Sequence, residues 1–187
     1  YAIDHSKLKS SIRLDTVSEI PMVVSTGCQV QYQGNGQDAR WSSSDIGVVS
    51  VNGSGYLSAH KIGTALISVE TDEEESYSFT VVVKDWMGLD LPEHLYQIEE
   101  EAFEGGVFEY VDLTSGDITS IGDNAFSNNS NLRLIRANNQ VTFGSEVFSG
   151  SDSIVFACEE EGASTDYAES EGIPYYVIGP EETYVNR

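Results

Sequence analysis

Three histidines, two cysteines and several acidic runs are the residues of this chain that could do chemistry. His5, His60 and His94 stand far apart, with no H-E-x-x-H and no cysteine at ligand spacing, so they do not read as zinc ligands. His60 falls in an expected turn and His94 beside Pro92. Cys28 and Cys158 lie in different halves of the chain, which makes neither a disulfide framework nor a zinc site. Cys28 sits on an alternating strand and reads as a small buried hydrophobe. The acidic runs Asp72–Glu75, Glu99–Glu101 and Glu159–Glu161 raise the question of calcium. Calcium needs about six to eight oxygens from a loop that curls around the ion, with alternating ligands and a glycine. Contiguous carboxylates point in successive directions, so solvated turns are the better reading. There is no G-x-S-x-G elbow and no glycine-rich phosphate loop. The expectation is no cofactor, no metal and no enzyme.

The elements that carry these residues are marked by a repeat. Ile98-Glu99-Glu100-Glu101-Ala102-Phe103 returns as Ile121-Gly122-Asp123-Asn124-Ala125-Phe126, and again as Phe143-Gly144-Ser145-Glu146-Val147-Phe148. Phe103 and Phe126 are 23 residues apart, and Phe126 and Phe148 are 22 apart. A short apolar stretch follows each copy: Phe108–Leu113, Leu132–Ala137 and Ile154–Cys158. A period in the low twenties with one L-x-x-I-x-L segment per period predicts a leucine-rich-repeat solenoid. The recurring phenylalanines should stack inside it. Stacked repeats build a face for binding and seldom a catalytic centre.

The charge excludes two partner classes. The net charge is −22, and it is concentrated in the second half. Residues 1–88 hold 6 Lys or Arg against 11 acidic residues; residues 89–187 hold only Arg133, Arg136 and Arg187 against 20. A field of that sign repels phosphate backbones and anionic lipid heads, so neither nucleic acid nor a membrane surface is an expected partner. No apolar run approaches the roughly 20 residues that span a bilayer, and no direct membrane insertion is expected from this segment. The chain opens at Tyr1 rather than Met, so the natural start is expected upstream, and this sequence does not show whether a signal peptide or anchor stands there.

The first half alternates apolar and polar residues in short pieces punctuated by turns. Cys28–Gln33 is one such strand and Gly34-Asn35-Gly36 ends it. Val48–Val51 and Tyr56–Ala59 flank the turn Asn52-Gly53-Ser54-Gly55. Thr64–Val69 and Tyr77–Val83 flank the hydrophilic Asp72-Glu73-Glu74-Glu75-Ser76. Period-two segments with frequent turn signals predict an all-β sandwich.

Two resemblances sharpen this reading. Trp41-Ser42-Ser43-Ser44-Asp45, the Val48–Val51 strand, Gly55-Tyr56-Leu57-Ser58-Ala59 and Gly63-Thr64-Ala65-Leu66-Ile67-Ser68-Val69 resemble the bacterial Ig-like group 2 (BIG2) domain in the same order. It departs at Asp45-Ile46-Gly47, where that family prefers Asn-Pro, and from Glu19 to Gln33. Ile121–Ser127 followed by Leu132–Ile135 is similar to the BspA-type leucine-rich repeat of bacterial surface proteins, and Ala163–Tyr175 to its closing segment. Phe143 and Val147 depart from its I-G-x-x-A-F pattern. The closing segment implies a short helix holding Tyr167 and Ala168, and Ile173 in a final strand. The expected architecture is mainly β: a flank over 1–10, an Ig-like β-sandwich over 11–86, and a leucine-rich-repeat solenoid with a C-terminal cap over 87–187.

Within L-x-x-I-x-L, positions one, four and six face inward, and three and five face out. Stacking then places Tyr110, Leu134 and Phe156 in one outward column and Asp112, Arg136 and Cys158 beside it. An exposed apolar column calls for a cover. Either a neighbouring part of the chain or a second copy supplies it, or it is a partner-contact strip formed by Tyr110, Leu134 and Phe156 and flanked by Asp112 and Arg136.

The resemblances imply a non-enzymatic extracellular or cell-surface binding and adhesion module, an Ig-like spacer presenting the repeat face to a host or microbial protein. The alternative is an accessory, non-catalytic region of a larger secreted enzyme acting on carbohydrate. Both rest on likeness to families, since a fold does not fix a function.

Overall fold

The structure is a computed structural model that describes residues 18–30, 39–71, 76–114 and 117–180. The expected 1–10 flank, His5, the Gly34–Gly36 turn and the Asp72–Glu75 run lie outside the described residues. The chain divides into two compact units.

In the first unit, strands β1 (Glu19–Met22), β2 (Thr26–Gln29), β3 (Arg40–Ser43), β4 (Val49–Val51), β5 (Tyr56–Ala59), β6 (Gly63–Glu70) and β7 (Ser76–Val83) build two sheets. One runs β1-β7-β6-β3, with β1 parallel to β7 and the remaining pairs antiparallel. Its alternation is plain in β6 and β7: Ala65, Ile67, Val69, Phe79, Val81 and Val83 are buried, and the residues between them are partly or fully exposed. Such a pattern fixes register, because slipping one residue would turn all six into water. The other sheet pairs β4 with β5 and β5 with β2, burying Val49, Leu57, Ala59 and Cys28. The β4–β5 turn is held by Asn52, whose Oδ1 accepts from the Ser54 and Tyr56 amides at 3.0 Å. Gly55 closes it at φ 83°, where an added Cβ would strike the Val30 carbonyl and the Trp41 ring.

In the second unit each coil of chain lays down a strand on one face, most lay a second on the opposite face, and a tight turn follows. The strands are β8 (Gly88–Leu89), β9 (Gln97–Ile98), β10 (Tyr110–Asp112), β11 (Ser120–Ile121), β12 (Leu134–Ala137), β13 (Thr142–Phe143) and β14 (Val155–Cys158). Two all-parallel ladders result, β8-β10-β12-β14 and β9-β11-β13, which makes a solenoid of about four coils. Helix α1 (Ala163–Glu171) follows the last coil and packs on β13 and β14. It holds Tyr167 and Ala168 as expected and ends at Gly172 in the left-handed region, φ 68°.

A third ladder joins the turns. The amides of Glu101, Phe103 and Gly105 donate to the carbonyls of Asp123, Ala125 and Ser127 at 2.9–3.0 Å. One coil on, Asn124, Phe126 and Asn128 donate to Ser145, Val147 and Ser149 at 2.7–3.0 Å. Each turn needs two left-handed residues at fixed offsets: Glu101 and Gly105, Asn124 and Asn128, Glu146 and Gly150. Inside, Phe103, Phe126 and Phe148 form a face-to-face stack with centroid spacings of 5.3 and 5.6 Å. Phe126 and Phe148 are buried, while Phe103, in the first coil, is half-buried.

Two expected boundaries shift. The repeat region was expected to run to residue 187, and Ile173 to sit in its final strand. Instead Ile173 precedes β15 (Tyr175–Pro180), and the chain from Tyr176 groups with the first unit, leaving 86–175 as the solenoid unit. The cause is backbone pairing: β15 runs antiparallel to β2, with Ile178 opposite Cys28, and the Tyr176 hydroxyl donates to the Pro21 carbonyl at 2.9 Å.

Candidate functional site

The β8-β10-β12-β14 ladder decides which side chains share a face. Tyr110 stands opposite Leu134, and Leu134 opposite Val155; Asp112 stands opposite Arg136, and Arg136 opposite Ala157. Phe156 therefore does not join Tyr110 and Leu134. It pairs with Ile135 in the inward column with Val111, is fully buried, and meets the Phe148 ring edge-on at 5.5 Å. Cys158 likewise aligns with Ala137 and faces in. Leu134 is buried, so the open apolar strip expected along Tyr110, Leu134 and Phe156 is not formed. The physical reason is the loop before each strand. From the stacked phenylalanine to the central inward residue is eight positions after Phe103 and after Phe148 but nine after Phe126, so the third strand does not align at the offset of the second.

The expected Asp112 and Arg136 pair is present and belongs to a larger polar cluster. The Tyr110 hydroxyl donates to Asp112 Oδ2 at 3.0 Å, and the Thr114 amide and hydroxyl donate to Oδ1 at 2.9 and 2.6 Å. Arg136 Nη1 lies 3.6 Å from Asp112 Oδ2, and its Nη2 donates to Glu159 Oε1 at 2.9 Å. One guanidinium thus ties carboxylates from the second and fourth coils through separate arms of its fork. Burial works against the charge on Arg136, but Asp112, Tyr110 and Glu159 outweigh it and hold the guanidinium above its ordinary value. Burial first, and then the charge and hydrogen bond of Asp112, push the Tyr110 phenol upward. The side chains of Asp112, Arg136 and Glu159 remain 26%, 35% and 41% exposed, so the cluster can meet a partner's polar groups.

Sequence reasoning missed Tyr110 as a hydrogen-bond donor, and Thr114 and Glu159 as members. The i, i+2 spacing of Asp112 and Thr114 was a usable signal, since Asp side chains bond the backbone two residues on. Among the described residues, no group of three His, Cys, Asp or Glu could hold a metal ion. Nor is any helix among them long and apolar enough to cross a membrane.

Comparison with known families agrees with this geometry. The model of the BspA type leucine rich repeat region matches residues 67–160, half of the chain, in six copies. This chain belongs to the BspA-type leucine-rich-repeat family. Repeats of the BspA type occur in surface and secreted bacterial proteins and are typically adhesion-related and non-catalytic. The match begins inside β6, yet β6 and β7 form an antiparallel hairpin, so the BspA-type coils themselves start after residue 85. No curated protein matches the chain. Among solved structures it is similar to a bacterial Ig-like domain-containing GH10 xylanase from termite gut, at 19% identity and a TM-score of 0.32. That likeness covers 50% of this chain and 30% of the xylanase chain, and is too slight to bear on fold or activity.

Proposed function

We propose that this chain is a non-enzymatic binding and adhesion module, displayed on or secreted from a bacterial cell, whose solenoid engages a protein of a host or microbial surface. In this reading the first unit is an Ig-like spacer of the bacterial group 2 kind. The observation that carries it is the half-exposed Tyr110–Asp112–Arg136–Glu159 cluster on a ladder of BspA-type repeats. Its members are already oriented by one another, so little side-chain entropy is lost when a partner meets them. Aromatic and Arg side chains of this sort anchor protein interfaces.

The test is binding of the immobilised chain to a panel of purified extracellular-matrix and bacterial surface proteins. Saturable binding that weakens about tenfold, or roughly 1.4 kcal/mol, in Asp112→Asn and Arg136→Gln supports the reading. Binding by no member of the panel, or binding untouched by both variants, overturns it.

A further inference from the structure

The turn ladder of the solenoid has an open end. In the first two turns every second amide (Glu101, Phe103, Gly105; then Asn124, Phe126, Asn128) donates to a carbonyl of the next coil. The equivalent amides of the third turn belong to Glu146, Phe148 and Gly150, and by the same repeat they point along the stacking direction. Among the described residues none of the three meets an acceptor, because after β14 the chain leaves the repeat path and enters α1. These same residues line a groove of about 440 Å³ that runs to the C-terminal end of α1. Ile173 contributes an apolar wall, and Asp152, Glu171 and the Glu146 side chain contribute carboxylates.

We propose that this groove binds an extended, lysine- or arginine-bearing peptide segment, a partner site distinct from the Asp112–Arg136 cluster. The backbone of an extended peptide presents a carbonyl at every second residue along one edge, which is the complement of three amides spaced two apart. Such a peptide would supply the row of acceptors that a next coil would have supplied. The three carboxylates select its charge, in a unit that itself offers only Arg133 and Arg136 as cations.

A second copy of this chain is the rival occupant, because the opposite end of the solenoid leaves carbonyls at Glu100, Ala102 and Glu104 without a turn-ladder partner. Charge argues against it. That end carries Glu99, Glu100, Glu101 and Glu104, and docking it on Glu146, Asp152 and Glu171 would set like charges together.

The experiment uses the full chain, labelled with nitrogen-15, and a synthetic peptide of alternating Lys and Val, with an alternating Glu and Val peptide as control. The expected result is saturable downfield movement of the Glu146, Phe148 and Gly150 amide resonances with the Lys peptide alone. Affinity should fall about tenfold in the triple variant Glu146→Gln, Asp152→Asn, Glu171→Gln, and fall steeply with salt. These substitutions alter exposed carboxylates and leave the aromatic stack intact. Shifts confined to other residues, equal binding of the Glu peptide, or an unaffected triple variant would each overturn the proposal. So would movement of the same amides with protein concentration alone, which would assign the groove to a second copy.

Discussion

The rings of Phe103 and Phe126 lie 5.3 Å apart and 16° from parallel, although 23 residues of chain separate them. Phe148 continues the stack at 5.6 Å and 9°. One slot is therefore filled three times by the same side chain, and the middle ring has neighbours on both sides. Truncating it leaves a void that a rigid parallel stack cannot close. Phe126→Ala should cost roughly 3–5 kcal/mol, and Phe103→Ala less, since Phe103 is half-buried at the first coil. Chemical denaturation measures both, and equal losses would show that the stack does not act as a unit.

A second prediction concerns the glycines that directly follow β11 and β13, Gly122 and Gly144. A Cβ built on Gly122 would lie 2.5 Å from the Glu100 amide nitrogen and 2.8 Å from the Glu99 carbonyl carbon, both backbone of the coil before. Gly144 meets the Asp123 backbone in the same way. The equivalent of Gly122 in the first coil is Glu99, directly after β9, the strand at the edge of its ladder, where no earlier coil stands in the way. Gly122→Ala should therefore destabilise by about 1–3 kcal/mol, while Glu99→Ala should leave the midpoint unchanged. A harmless Gly122→Ala would mean that the coils can separate locally at little cost.

Most of this solenoid was legible because repetition multiplies a weak signal: Ile98 and Ile121, Ala102 and Ala125, and the three phenylalanines recur at intervals of 22 or 23 residues. The sandwich was legible through the alternation of Thr64–Val69 and Phe79–Val83. The outward strip failed at Ile154-Val155-Phe156-Ala157-Cys158 for an equally physical reason. That run is apolar at every position and buried throughout β14, so it carries no period-two signal to set its register. The return of β15 to β2 was hidden as well, because backbone pairing between distant segments leaves no local trace in either one.

Left-handed backbone in the turns gives a third prediction. Glu101 is exposed and held at φ 57°, a conformation that costs an L-residue roughly 1–2 kcal/mol. Asn124, at the same offset in the next turn, is a residue better suited to it. Glu101→Gly removes the strain but adds about 0.5–1 kcal/mol of chain entropy to the unfolded state, so the net gain should be about 0.5–1 kcal/mol. Glu101→Val should do the opposite, because a branched Cβ fits this region worst. Thermal midpoints of the two variants should fall on either side of the parent, and a parent midpoint above both would remove strain at Glu101 from the account.

The last prediction comes from buried acids. Burial pushes the thiols of Cys28 and Cys158 from an ordinary 9.0 up to about 12. Burial, and then the charge of Glu171, moves the Tyr167 phenol from 10.0 to about 12. All three groups keep their protons more tightly in the fold than in the unfolded chain. Below about pH 9 both states are protonated, and the neutral forms sit in the core without cost. As pH rises from about 9 toward 12, the unfolded chain releases these protons and the folded chain does not, so stability is lost across that window. Urea midpoints should stay level through neutral pH and fall above about pH 9, and a Cys28→Ala, Cys158→Ala variant should fall less steeply. At neutral pH the native chain should react slowly with a thiol reagent, and both cysteines should react at once in denaturant. A midpoint that stays level to about pH 11, or fast labelling of the native chain, would show that these groups are not held protonated by burial.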